Sequence, residues 1–60
     1  MAEIVLIERD AAKMLDVPLE RMEVLRQKYE LPFIQVDRVR RVYFKSDIIE
    51  WLKGRRVVLS

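Results

Sequence analysis

A chain of 60 residues with neither cysteine nor histidine has to be held together by its apolar core alone. Disulfides and the usual Cys/His zinc sites, on which chains near this size often depend, are excluded. The length allows one domain, and its large side chains are few enough that most must pack inside. Ala12, Leu15, Val17, Met22, Leu25, Phe44, Trp51 and Leu52 are the expected core, with Phe33 beside them. Absence of cysteine fits a cytoplasmic protein. No apolar run approaches the roughly 20 residues that cross a bilayer, so no membrane partner is expected. The short run near Met1 follows Glu3 rather than basic residues, unlike a signal peptide.

Two prolines divide the chain. Residues 1–7 contain the β-prone run Glu3 to Ile7, which reads as an edge strand or as an extended arm over the core. Residues 9–15 read as a first helix, with the small Ala11-Ala12 pair permitting close approach of a neighbour and Asp10 suited to its amino end. Asp16-Val17-Pro18 is a break, since Pro18 is harmless in a first turn and costly inside a helix. A second helix is expected over residues 18–29, with Met22, Leu25 and Tyr29 as its inward stripe. Leu31-Pro32 ends helical character. A β-hairpin follows over residues 33–44, in which Tyr43 should alternate away from Phe44 towards solvent. No glycine or asparagine serves its turn, which leaves the turn type open, and Asp37 can help through its side chain. A third helix is expected over residues 47–53, capped by Ser46 and ended by a left-handed Gly54. Residues 55–60 form a basic, β-prone tail.

Charge is distributed unevenly. Residues 1–30 carry seven acidic against five basic side chains, and residues 31–60 carry seven basic against three acidic, a change from −2 to +4. An anionic partner would meet the second half, where Arg38, Arg40 and Arg41 crowd the hairpin tip.

Taken in order, Ala11-Ala12, Leu15, Val17, Leu31-Pro32, the arginine-bearing hairpin and the Asp47…Trp51-Leu52 helix resemble the small winged helix-turn-helix domains of the excisionase and AlpA-like regulators, related to MerR-type heads. Asp16, Tyr29 and Asp37 stand where that family has glycines, and Pro18 where it commonly has serine. The resemblance spans Arg9 to Leu52 and implies an α+β fold: three short helices, a β-hairpin wing and room for short terminal strands.

It also implies double-stranded DNA as partner, in transcriptional regulation or in excisionase-type shaping of a recombination site. The second helix would enter the major groove with Glu20, Arg21, Val24 and Gln27 as base-reading candidates. Arg26, Lys28, Arg38, Arg40, Arg41, Arg55 and Arg56 are the candidates for phosphate or minor-groove contact. A module this small needs a second copy through its β-prone ends, or a recombinase or other protein partner, to gain specificity. Enzyme activity is not expected: there is no nucleophile–base pair or glycine-rich phosphate loop, and neither cofactor nor metal is implied. The alternative is a protein-interaction module that keeps this fold. Acidic Glu20 and Glu23 on the second helix favour it, as does apolar Val39 in the hairpin.

Overall fold

The computed structural model describes residues 3–55. Six elements follow one another: β1 (Val5–Ile7), α1 (Glu8–Leu15), α2 (Arg21–Lys28), β2 (Ile34–Gln35), β3 (Arg41–Phe44) and α3 (Lys45–Gly54). They make a small α+β domain in which three helices accompany a three-stranded antiparallel sheet of order β1-β3-β2.

The run near the amino end is a strand. Val5, Leu6 and Ile7 pair with Phe44, Tyr43 and Val42, and Lys45 N–H donates to the Ile4 carbonyl at 2.9 Å. β1 passes directly into α1, because Ile7 keeps extended backbone angles while Glu8 and Asp10 supply negative charge to the first turn. α1 ends where Asp16 turns left-handed at φ 57°. Asp16 N–H donates to Lys13 O and Val17 N–H to Ala12 O, both at 3.1 Å, which is the Schellman pattern ordinarily served by glycine. A short polar side chain tolerates that backbone better than most.

The same device recurs after α2. Tyr29 and Leu31 N–H both donate to Leu25 O, at 3.2 and 3.0 Å, around a left-handed Glu30 at φ 59°. The resemblance to the excisionase-like domains puts a glycine at position 29, but the left-handed residue is Glu30, one position later. Glu30→Gly should therefore raise stability by about 0.5–1 kcal/mol, the strain relieved exceeding the extra freedom of the unfolded chain. Urea-unfolding midpoints check it, and an unchanged or lower midpoint contradicts it. Asp16→Gly should gain less.

Pro18 does not open α2. Arg21 N–H donates to Pro18 O and Met22 N–H to Leu19 O, at 3.0 and 3.1 Å, so residues 18–20 form tight turns that feed the helix at Arg21. α3 also begins elsewhere than expected. It starts at Lys45 directly from extended Phe44, and the Ser46 hydroxyl donates to the Glu3 carboxylate instead of capping. Gly54 is the last residue of α3 and has no left-handed backbone, and Arg55 caps the helix.

The innermost side chains are Ala11, Ala12, Met22, Leu31, Tyr43 and Ile48, with Leu6, Met14, Leu15, Val17, Leu25 and Trp51 packed around them. The phase of β3 is thus the reverse of that expected. Tyr43 is 0% exposed, whereas Phe44 is half-buried and stands on the other sheet face with Val5, Ile7, Ile34 and Val42. Tyr43 wins the inner place because its hydroxyl finds partners there. Phe33 and Leu52, both expected inside, are each 42% exposed. Trp51 is held at the rim, its indole N–H donating to Tyr29 O at 2.9 Å.

Candidate functional site

β2 and β3 are joined by a tip that needs no glycine. Asp37 Oδ1 accepts from both Val39 N–H and Arg40 N–H at 2.9 Å. The Gln35 side-chain amide donates to the Asp37 carbonyl and, at 3.3 Å, to Arg40 O, which also receives Val36 N–H at 3.0 Å. Four backbone groups of a six-residue stretch are tied by two side chains, so the tip is fixed before it meets anything. Arg38, Val39 and Arg40 are left exposed on it, and Arg41 is half-buried at the start of β3.

Between this hairpin and the amino end of α2 lies a cleft of about 650 Å³. Leu19, Glu20, Glu23 and Arg26 line it from the α2 side, Val36, Val39, Arg40, Arg41 and Val42 from the hairpin, and Ile7, Glu8 and Arg9 from the β1–α1 junction. Acidic residues at the amino end of α2 and two hairpin arginines therefore share one recess. Glu20 at the amino cap of α2 and Arg21, Gln27 and Lys28 on it are exposed and Val24 is half-buried, so the side expected to read bases is open to solvent. Gln27 donates to Glu23 Oε1 at 3.4 Å, a long bond that a ligand displaces at little cost.

Two of the expected phosphate contacts have partners within the fold. The Arg26 side chain is only 8% exposed and is ion-paired with Glu8, while its Nη1 also donates to Tyr43 Oη at 2.9 Å. Tyr43 Oη in turn donates to Glu8 Oε2 at 3.1 Å. A guanidinium so enclosed is an internal brace joining α1, α2 and β3. Arg55 stacks over Tyr29 and Trp51, 4.9 Å from each ring centre, and its Nη1 donates to Tyr29 O at 3.4 Å, away from the residues lining the cleft. Arg56 and the Val57-Val58-Leu59-Ser60 segment lie outside the described residues. Arg9, unassigned from the sequence, is exposed and lines the cleft. Its signal was faint, because position 9 becomes a neighbour of the hairpin only once β1 pairs with β3.

Burial lowers the pKa of Arg26, but its Tyr43 hydrogen bond and the Glu8 charge outweigh this, and the net shift is upward. Burial raises the pKa of Tyr43; the Arg26 hydrogen bond opposes this and Glu8 reinforces it, leaving the phenol above its ordinary value. The folded state thus keeps this proton to higher pH than the unfolded chain. Its stabilisation is complete below the unfolded value of about 10 and is lost as pH climbs through the folded one. The stability advantage of the native chain over Tyr43→Phe should accordingly be constant near neutrality and shrink above about pH 10. Paired urea titrations across that range check this, and a difference that persists or grows contradicts it.

Among the described residues no group of three or more acidic side chains is arranged to hold a metal ion, and no helix is long and apolar enough to cross a membrane. No protein-family model, curated protein or solved structure matches the chain.

Proposed function

We propose that this protein is a winged helix-turn-helix module that binds double-stranded DNA, with α2 in the major groove and the β2–β3 hairpin as a wing along the backbone. Its use would be transcriptional regulation or excisionase-type shaping of a recombination site, in the cytoplasm. The observation that carries this reading is the shared cleft: Glu20 at the amino cap of α2, Glu23 within it, and Arg40 and Arg41 at the hairpin line the same recess. One approaching duplex can therefore touch both elements. Arg21, Val24 and Gln27 are the base-reading candidates that remain open, with Glu20 able to accept from a cytosine amino group. Lys28, Arg38, Arg40 and Arg41 supply the charge, and Arg9 adds to it.

The partner calls follow from size. A single module covers too little duplex for a selective site, so a second copy or a protein such as a recombinase completes it. β1 offers a surface for a second copy, being an edge of the sheet with Val5 and Ile7 exposed.

A second reading has its own support. Ile7, Leu19, Val36 and Val42 give the cleft an apolar lining, and both charge signs stand around it, as suits a protein segment. Fluorescence anisotropy with a random duplex over rising salt separates the two. Contact with about four phosphates gives a log–log slope of roughly −3 to −4. Salt-insensitive binding, or none, favours the protein partner and contradicts the DNA reading.

A further inference from the structure

We infer that two free copies of this chain pair face to face over the cleft, about a two-fold axis running along it, and that a duplex displaces one copy to enter; the displacement rests on the DNA-binding reading above. The first observation is an inverted sheet. Every outward position of the three strands is apolar: Val5 and Ile7 on β1, Ile34 on β2, Val42 and Phe44 on β3. The polar Gln35 and Arg41 share the other face with Leu6 and the enclosed Tyr43. An antiparallel sheet open to water on one face ordinarily shows polar residues there.

This face runs into the cleft without a break, because Ile7 and Val42 belong to both. Leu19, Val36 and Val39 continue it at 52%, 57% and 80% exposure. Together these side chains expose on the order of 500 Å², as much as the largest patch of an ordinary monomer. Two copies laid over one another remove about 1,000 Å² from water, the threshold for a specific interface. Such an area suits a dimer that forms at roughly tens of micromolar and yields to a competitor.

The charges make a second copy the partner. Glu20 and Glu23 stand on the α2 side of the cleft, Arg40 and Arg41 on the hairpin side, and none of the four is in an ion pair among the described residues. Rotation about an axis along the cleft exchanges its two sides. It therefore lays the acidic side of each copy over the basic side of the other, twice in one dimer. An axis across the cleft would set like charge on like, so the charges fix the arrangement too. Glu8 and Arg26 pair with each other. Arg9 is the one cleft charge without an opposite number, and its exposed side chain keeps its head in water.

Sedimentation velocity of the full chain without nucleic acid, from about 5 to 500 µM, tests the pairing. The native chain should pass from monomer to dimer over that range. Glu20→Arg with Glu23→Arg makes both sides of the cleft basic, and Arg40→Glu with Arg41→Glu makes both acidic. Each double variant alone should associate about tenfold more weakly, and an equimolar mixture of the two should form a heterodimer tighter than the native dimer. Should half-buried Arg41 not tolerate glutamate, Arg40→Glu at its exposed position serves in the same scheme. A native chain still monomeric at the top of the range, a dimer untouched by either charge reversal, or a mixture that does not associate overturns the inference and leaves the DNA reading standing. A duplex of about 10 base pairs, too short for two modules, should dissolve the native dimer into complexes of one chain each. A dimer that persists on it overturns the displacement. A chain that dimerises but binds no duplex overturns the DNA reading and the displacement, and leaves the pairing.

Discussion

Replacing Arg38, Arg40 and Arg41 together by glutamine is expected to weaken binding to a generic duplex about 100-fold at low salt, roughly 1 kcal/mol for each charge-assisted contact. The salt dependence should fall with it. Each phosphate contact contributes about 0.9 to the log–log slope, so losing three removes about 2.7 and leaves a slope of about −1. The three positions sit on or beside a tip whose backbone is held by Asp37 and Gln35, so glutamine there leaves the turn intact. Arg55→Gln is the matched control: it removes equal charge from a residue stacked on Tyr29 and Trp51, outside the cleft lining, and should change affinity well under tenfold. Anisotropy titrations of both variants check this. A triple variant that binds as the native chain does, or an Arg55 variant that loses as much, contradicts the assignment of the hairpin.

The largest effect on stability is expected at Arg26, which lines the cleft but is ion-paired within the fold. Arg26→Ala removes the guanidinium that joins Glu8 to Tyr43, leaving a half-buried carboxylate and a buried phenol without their partner. The cost should be about 2–4 kcal/mol. A 60-residue chain at a typical 0.05–0.15 kcal/mol per residue has only about 3–9 kcal/mol in all, so much of the population would unfold at 37 °C. The loss belongs to the orphaned charge more than to the bond itself. Pairing Arg26→Met with Glu8→Gln should therefore recover at least half of it. Urea midpoints for the single and double variants decide the matter; a single variant within about 0.5 kcal/mol of the native chain would show that the brace carries no stability.

These two predictions mark what the sequence made legible. The helix–turn–helix–hairpin–helix order could be read because its signals are local: Pro18 and Pro32 as breaks, the alanine pair, and Asp37 at a turn lacking glycine. Asp16 was readable as a left-handed substitute for glycine on the same grounds, and Glu30 was not, since nothing in its side chain suits that backbone. The brace escaped because Glu8, Arg26 and Tyr43 are 17 to 35 positions apart and meet only through packing. Without it, alternation along β3 was correctly periodic but assigned to the wrong face, so Tyr43 was expected in solvent. The same holds for Ser46. Its sequence context fits a cap, but β3 runs into α3 without a break and the hydroxyl turns to Glu3. Of the candidate site, the exposed helix side and the hairpin arginines were legible; the apolar cleft lining and Arg9 needed the pairing of β1 with β3.

The most direct measurement is an amide chemical-shift titration of the full chain with a generic duplex. Shifts should gather on Glu20 to Lys28 along the outer side of α2 and on Asp37 to Arg41 of the hairpin, and should saturate together as one binding event. Shifts confined to α3 and the outer edge of β1, or a spectrum unmoved at saturating duplex, would contradict DNA recognition through that shared cleft.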